Sequence, residues 1–407
     1  MNLPKRDGWA DVAKGVCIIL VVFWHVITKH VHFVDWGSAD GIASLWATFS
    51  AQLLPLRMPL FFLVSGMFAA SAAFAPDWAK ARRRVGLLWS LYVLWLTIQT
   101  FALWLTAPDF DTARAHDVGD YFLELTISPT NLWYLLALGW YLVIARATRK
   151  VPTPVVLGLA FAVSAVASMD VLPDLGNMWQ VLQNLFFFVL GLRMRDLVRR
   201  LAASVNVWKA IAAGAVFVVG LGAVGYLNAR AWPAVWPLLC VSAVYFGMAW
   251  CILFDRWLPR GTSGLRWIGQ RTLPIYVIHM LPLAVIDRAV RASSVEGALA
   301  NVPAALVYPL FLTALVIAVC LLLHNVLNRI GRGFLFNPLV VLPKQEPVAA
   351  AMSDATLILP RQRPVPPPYG PPAGQPGGQP PLDDATVILP RQRPNPPQYG
   401  PDDRRMR

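Results

Sequence analysis

Charged residues are scarce in this chain: Asp, Glu, Lys and Arg make up 14% of its 407 residues, whereas hydrophobic residues make up 57%. About a quarter of the residues in a typical soluble domain are charged, so this composition and a mean hydropathy of +0.53 exclude that class. The sequence has instead many apolar runs of the length that crosses a bilayer as a helix. It therefore predicts an all-α, polytopic membrane helix bundle.

Cysteines and acidic residues are also few. All four cysteines, Cys17, Cys240, Cys251 and Cys320, fall inside apolar segments. We interpret them as packed thiols and expect neither a disulfide framework nor a metal site. The 22 acidic residues face 35 Lys and Arg, which gives a net charge of +13. These bases lie in short connections and near the C-terminus, so we expect no nucleic-acid partner.

About ten apolar segments are long enough to be transmembrane helices, although the fourth and fifth are short. The first carries two ionisable residues and lacks a small-residue cleavage site, so we expect no signal peptide to be removed. The ten segments begin near Val12, Ile42, Val85, Asn131, Pro154, Met178, Val207, Ala231, Trp267 and Val302.

Basic residues concentrate in the even-numbered connections between these segments, as they do in cytoplasmic loops. The odd-numbered connections hold few bases, and one of them is rich in aspartate. Because Lys5 and Arg6 precede the first segment, we expect a multi-pass protein of the inner (plasma) membrane with both termini in the cytoplasm. The bases that set this orientation are Lys80, Arg82, Arg83, Arg84, Arg146, Arg149, Lys150, Arg193, Arg195, Arg199, Arg200, Arg256, Arg260 and Arg266.

The composition changes near Lys344, which divides the chain into a membrane domain, 1–343, and a tail, 344–407. The tail is rich in Pro, Gly, Gln and Arg and is predicted to be a disordered, cytoplasmic segment. It contains a repeat, DATLILPRQRP from Asp354 and DATVILPRQRP from Asp384. Thr356 and Thr386 in these repeats resemble phosphorylation sites that a Ser/Thr kinase modifies and a forkhead-associated domain then binds. The alternative is a duplicated spacer.

The first segment carries Lys14 and His25 eleven residues apart. On an α-helix this spacing is almost three turns, so the two side chains share one face and lie roughly 16 Å apart. Ionisable groups inside a membrane are costly and usually line a functional site. The alternative for Lys14 is a side chain that reaches the headgroups. Arg57, in the second segment, needs a partner or ligand, and His279 either lines the same cavity or is a hydrogen-bonded core histidine. We assign no role to His30.

The residues around His25 resemble the opening helix of the membrane-bound acyltransferase-3 family, in which a basic residue and a histidine are separated by ten positions. Four further stretches agree in the same order, and the resemblance covers residues 6–335. The family's Arg-x-x-Arg at the third helix is altered here, where only Lys80 and Arg83 keep the spacing. The stretches are DVAKGVCIILVVFWH from Asp11, MPLFFLVSG from Met58, LWYL from Leu132, FFVLG from Phe187 and IGQRTLPIYVIH from Ile268.

The resemblance implies transfer of an acyl group, usually acetyl from acetyl-CoA, with no permanently bound cofactor. The acceptor would be a hydroxyl of a cell-envelope carbohydrate or glycolipid, with the mycolate hydroxyl of trehalose monomycolate as a specific candidate. His25 would be a general base or a covalent acyl carrier. Lys14, paired with Asp11, would hold the thioester or a phosphate. Lys80, Arg82, Arg83 and Arg84 would bind acyl-CoA, and Arg57, Ser65, Trp133 and His279 would line the cavity.

Two other functions are alternatives to an acyltransferase. A transporter or flippase would use His25, Arg57 and His279 as a pathway for a lipid or sugar, and dependence on acyl-CoA would separate it from the enzyme. A membrane scaffold would act through its tail. Trp133 and Tyr134 also have an ordinary explanation, because aromatic residues at the start of a span often form the interfacial belt.

Overall fold

The structure is a computed structural model that describes residues 8–110, 112, 115, 117–169, 171, 176–293, 297, 299–331 and 333–338. These residues form helices and connecting turns, and no β-strand occurs among them. The predicted tail, with Thr356 and Thr386, lies outside the described residues. The expected all-α architecture is therefore confirmed for the described residues.

Fifteen α-helices are numbered here in chain order within the described part of the chain. Short 3₁₀ turns cover Val31–Phe33, Gly37–Ala39 and Ala229–Ala231. The helices are α1 (Gly8–Lys29), α2 (Asp40–Gln52), α3 (Leu54–Ala73), α4 (Trp78–Thr106), α5 (Val118–Thr126), α6 (Trp133–Ala147), α7 (Thr153–Val166), α8 (Met178–Arg193), α9 (Arg195–Ala203), α10 (Val207–Tyr226), α11 (Val235–Trp257), α12 (Ser263–Gly269), α13 (Thr272–Ile278), α14 (Met280–Arg291) and α15 (Val302–Ile330).

A helix occurs at each of the ten predicted positions, but fewer stretches are long enough to cross a membrane alone. Six in the described residues pass by length and composition, and the bent pair α13–α14 adds a seventh. Helices α6 and α7 are apolar but short. The count of ten spans and the cytoplasmic termini therefore stay predictions. The six stretches are Gly8–Phe33, Gly37–Ala73, Trp78–Thr106, Val207–Tyr226, Val235–Trp257 and Val302–Ile330.

Helix α1 is the centre of the bundle. It is apolar over most of its surface, as expected of a helix that other helices surround, and it packs against α3, α11, α12, α13 and α15. Its buried positions include Asp11 and Lys14, which are only 2% and 3% exposed. Helix α10, in contrast, leaves Val216, Val218 and Val219 exposed on its outer face. The ionisable residues of α1 are therefore directed into the protein.

Two glycines let α1 and α12 touch backbone to backbone. A Cβ atom on Gly15 would collide with the carbonyl oxygen of Leu265, and one on Gly269 would collide with the carbonyl oxygen of Asp11. Small residues permit this approach in membrane proteins, where close packing replaces the hydrophobic effect between helices. The contact fixes the first turn of α1 and hence the position of Asp11.

A second glycine contact joins α3 to α8. A Cβ atom on Gly66 would meet the carbonyl oxygen of Phe188, and one on Gly191 would meet the carbonyl oxygen of Leu63. Both obstacles are backbone atoms, so a larger side chain cannot be accommodated by rotating a neighbour. This contact sets the spacing of the helices on which the site is built.

Two helix breaks depart from the predicted spans. The second segment is split at Leu53 into α2 and α3, so Pro55 lies in the first turn of α3, where its missing N–H costs little. The ninth segment bends by 43° between α13 and α14, and His279 is the residue at this bend. Broken helices are tolerated at membrane depth where the backbone is buried or lines a cavity.

We predict that Gly66→Ala lowers stability by at least about 1–3 kcal/mol, because the added methyl group overpacks a backbone contact. Gly158→Ala in α7 is the matched control: nothing lies within 4 Å of a Cβ there, and alanine is the better helix former. Thermal unfolding of the two purified variants in detergent checks this. Equal melting temperatures would contradict the α3–α8 contact.

Candidate functional site

A polar cavity of about 310 Å³ opens beside the C-terminal half of α1. We call it the His25 cavity, after the half-buried imidazole in its wall. Residues of α3, α6, α7, α8, α11 and α13 also line it, together with the segments that precede α6 and α8 and the 3₁₀ turn Ala229–Ala231. Four indoles take part, those of Trp24, Trp133, Trp179 and Trp236. Trp133 is only 9% exposed, so it belongs to the cavity and not to an interfacial belt.

Amide side chains give this cavity its polarity. Helix α8 presents Gln180, Gln183 and Asn184 at the i, i+3 and i+4 spacing that shares one helix face. The buried atoms Asn131 Nδ2, Gln180 Oε1 and Asn184 Oδ1 have no hydrogen-bond partner in the described part of the chain. An unsatisfied buried polar group costs about 1–3 kcal/mol, so three in one wall indicate a polar ligand or water.

His25 and His279 form a pair of imidazoles. Their ring centroids are 5.0 Å apart. His279 Nδ1 lies 2.8 Å from the carbonyl oxygen of Tyr276 and must donate to it, which leaves Nε2 as the ring's acceptor nitrogen. This Nε2 and His25 Nδ1 are both buried and without partners among the described residues. The acceptor Nε2 of His279 can therefore take a hydrogen bond from a neighbouring donor, which a protonated Nδ1 of His25 would supply.

Arg57 carries a buried positive charge at the same cavity. Its side chain is 4% exposed, and its guanidinium lies over the ring of Trp24 at 4.2 Å. One long hydrogen bond, 3.4 Å, joins it to the carbonyl oxygen of Ser50. No Asp or Glu is among the described residues that line the cavity. No carboxylate side chain of the described lining is therefore the predicted partner of Arg57, which leaves a bound ligand.

A smaller cavity of about 80 Å³ lies towards the N-terminal half of α1. We call it the Lys14 cavity. Lys14 Nζ forms a buried ion pair with Asp11 at 2.8 Å and lies 5.2 Å from the ring centroid of Phe68. Gln270 donates to the second carboxylate oxygen of Asp11 at 3.2 Å. The predicted Lys14–Asp11 pairing is present, so the net charge of the pair is zero.

Tyr276 separates the two cavities and lines both of them. Its hydroxyl donates to the carbonyl oxygen of Asn131 at 2.6 Å and accepts from the backbone N–H of Tyr134 at 3.0 Å. On the Lys14 side, the hydroxyls of Ser65 and Tyr134 are 2.6 Å apart. Lys14 and His25 share an inward face of α1, as predicted, but each meets a different cavity.

The predicted donor residues divide into two groups. Helix α4 begins after Asp77, whose carboxylate accepts from the N–H of Ala79 at 3.0 Å, and this cap places the basic cluster in the first two turns. Arg84 lines the Lys14 cavity and donates to the carbonyl oxygen of Phe68 at 3.3 Å. The other three bases are exposed and do not line it; they are Lys80, Arg82 and Arg83.

Several buried polar residues were not predicted from the sequence. His30, which had no predicted role, is fully buried; its Nδ1 lies 2.7 Å from Asp287 and its Nε2 lies 2.8 Å from the hydroxyl of Tyr308. This network ties the end of α1 to α14 and α15. The amides of α8 and Tyr276 were also missed. The amides had a signal, since three of them on one face of an apolar helix are costly unless they have partners.

The fold and the cavities define a class: a multi-pass helical membrane protein that holds ionisable side chains at an internal, ligand-sized site. The model of the acyltransferase-3 family, described as an acyltransferase domain, matches residues 7–325. The chain therefore belongs to this family of membrane proteins, whose general activity is acyl transfer.

One relative is the inner membrane protein YcfT of Escherichia coli (strain K12). It is 26% identical over 355 residues, which cover 83% of this chain and 97% of YcfT. No solved structure matches the chain. The family match and this relative both agree with a multi-pass membrane protein.

We predict that Lys14→Met destabilises the protein by about 3–5 kcal/mol, because it removes the ammonium group from a buried carboxylate. The double variant Lys14→Met/Asp11→Asn should recover much of this loss, since neither charge then remains. Thermal unfolding in detergent measures both. A double variant no more stable than Lys14→Met would show that the ion pair is not the source of the effect.

Proposed function

We propose that the protein is an integral membrane O-acyltransferase that moves an acetyl group from acetyl-CoA to a hydroxyl of an envelope glycolipid or carbohydrate. Membership in the acyltransferase-3 family supports acyl transfer. The observation that carries the rest is the His25 cavity, where an imidazole lies among four indoles and amide side chains, three of which have a buried atom without a described partner. Amides bind sugar hydroxyls, and indole faces pack against the apolar faces of sugar rings.

The donor belongs on the Lys14 side in this proposal. Coenzyme A carries several phosphates, and Lys14 is already neutralised by Asp11 at 2.8 Å. Arg84 is therefore the better candidate for a phosphate contact, because it lines the same cavity and a guanidinium can bind phosphate with two parallel N–H groups. Lys80, Arg82 and Arg83 would attract the polyanion from the exposed start of α4. This arrangement agrees with the expected cytoplasmic position of these bases.

Two routes for the acyl group fit His25. As a general base, Nε2 takes the proton of the acceptor hydroxyl while the oxygen attacks the thioester carbonyl, and the C–S bond breaks to release the CoA thiolate. As a carrier, Nε2 itself attacks that carbonyl and the C–S bond breaks to release the thiolate; the acceptor oxygen then attacks the acyl carbon, the C–N bond to the imidazole breaks, and the hydroxyl proton passes to the released thiolate. Both routes need an unprotonated Nε2 that meets the ligand.

His279 is the residue that would hold His25 ready for either route. A proton on His25 Nδ1, directed at the acceptor Nε2 of His279, leaves the lone pair of His25 on Nε2. The ring separation of 5.0 Å is compatible with such a contact after a small movement or through one water. His279 is in turn oriented by its bond to the carbonyl oxygen of Tyr276. It is therefore a positioning residue in this scheme.

The acceptor is the least specified partner. The lining of the His25 cavity suits a sugar headgroup, and membrane lipids surround the protein, so a glycolipid with both parts fits the proposal. The mycolate hydroxyl of trehalose monomycolate is one such acceptor. Phosphorylation of Thr356 and Thr386, and binding of a forkhead-associated domain there, remain separate proposals about the tail.

The test is an acetyl-transfer assay with full-length protein in nanodiscs, labelled acetyl-CoA, and extracted envelope lipids and polysaccharides as acceptors. His25→Ala should lower the transfer rate by about a hundredfold or more, the usual worth of general acid–base catalysis. His279→Ala should lower kcat on the order of tenfold, with the KM for acetyl-CoA unchanged, because it misplaces an imidazole without touching the donor. The products are identified by mass spectrometry.

His32→Ala is the control, since this exposed histidine just beyond α1 should leave transfer unchanged. Full activity of His25→Ala would refute the proposed role of His25. If the wild-type protein acetylates none of the acceptors, the proposed enzyme activity is refuted and a transporter becomes the favoured function.

A further inference from the structure

We infer that the His25 cavity binds an anionic oxygen group, a phosphate or a carboxylate, between Arg57 and Arg230. This inference rests on the proposed function, because it gives the acceptor a negatively charged group next to the hydroxyl that is acylated. It adds a chemical class to an acceptor that is otherwise proposed only to carry a hydroxyl.

The first observation is that Arg57 is buried without a counter-ion among the residues that the structure describes. A guanidinium has five N–H donors, and the structure gives Arg57 one hydrogen bond, the 3.4 Å contact with Ser50. The side chain is 4% exposed and lines the cavity. Burying an unpaired guanidinium at membrane depth costs at least a few kcal/mol. A bound anion would accept hydrogen bonds from its free N–H groups and offset this cost.

The same bundle shows how a buried cation is neutralised when no ligand is needed. Lys14 lies on α1 with Asp11 one turn away, and the two are 2.8 Å apart. Arg57 has no such carboxylate among the described residues. The ring of Trp24 covers one face of its guanidinium at 4.2 Å. Stacking leaves the in-plane N–H groups available, which is the geometry for a bidentate bond to an oxyanion.

Arg230 adds a second positive charge at the rim of this cavity. Its guanidinium lies over the ring of Trp236 at 3.8 Å, and both residues are in the lining. The cavity therefore holds two arginines, each stacked on an indole, and no acid among its described residues. A neutral sugar could bind the amides of α8 but would leave the buried charge of Arg57 without a counter-ion.

An anion at Arg57 would also determine which hydroxyl reacts. His25 and Arg57 line one cavity of about 310 Å³, so a ligand anchored at the guanidinium can reach the imidazole only with groups at a fixed distance. The arginine would then act in substrate positioning, and its loss would weaken acceptor binding more than donor binding.

Ligand-dependent thermal shifts of full-length protein in phosphatidylcholine nanodiscs test this at constant ionic strength. The probes are glucose 1-phosphate, glucuronate and neutral glucose. We expect saturable stabilisation by at least one of the two anions and none by glucose, and the stronger anion identifies phosphate or carboxylate. Arg57→Gln should raise the apparent Kd of that anion by at least about tenfold, the usual worth of a charged hydrogen bond. Arg230→Gln should raise it by a smaller factor.

Arg149→Gln, which removes an exposed charge on the turn after α6, is the matched control and should leave anion binding unchanged. Arg230 is exposed, so its variant tests the inference even if Arg57→Gln does not fold. The inference is overturned if neither anion binds saturably, if glucose binds as well as the anions, or if both arginine variants bind like wild type.

A final arm with coenzyme A separates the inferred anion site from a donor site. Binding of coenzyme A should weaken in Arg84→Gln and persist in Arg57→Gln; the reverse would make Arg57 a donor residue and overturn the inference. No acetyl-CoA turnover is needed for these measurements. Failed transfer with retained anion binding therefore counts against the proposed function alone, whereas transfer to neutral acceptors without anion binding counts against this inference alone.

Discussion

The organisation of the site follows from one constraint: a polar group inside the membrane bundle must be satisfied by the protein or by something that the protein binds. Lys14 meets this constraint internally through Asp11, whose other carboxylate oxygen accepts from Gln270. His25 and Arg57 do not, because the first has an orphan nitrogen and the second has one long hydrogen bond. Lys14 and Asp11 therefore form a structural ion pair, whereas His25 and Arg57, in a neighbouring part of the same bundle, are candidates for binding a ligand.

Because α1 is central, the ion pair and the candidate ligand site lie at two different cavities along the same helix. The helix runs through the centre of the bundle, held at its start by the glycine contact with α12 and at its end by His30, Asp287 and Tyr308. One end of its inward face meets the Lys14 cavity and the other meets the His25 cavity, with Tyr276 between them. Two hydrogen bonds hold the hydroxyl of this tyrosine in place.

Much of the fold could be predicted from the sequence, because long apolar runs and the spacing of Lys14 and His25 depend on local helix geometry alone. The breaks at Leu53 and His279 could not, since they depend on how neighbouring helices satisfy the backbone. The separation into two cavities was also beyond reach, because Ser65 and Arg57 lie on one helix and still line different cavities. His30 looked incidental only because its partners are more than 250 positions away in the chain.

The central claim is that this membrane domain acylates an envelope molecule through His25. Lipid and polysaccharide mass spectrometry of cells lacking the protein, complemented with wild type or with His25→Ala at equal membrane abundance, tests it most directly. The account predicts that a species heavier by one acetyl group disappears in the deletion strain and returns only with wild type. An unchanged set of acetylated species, or full restoration by His25→Ala, would contradict it.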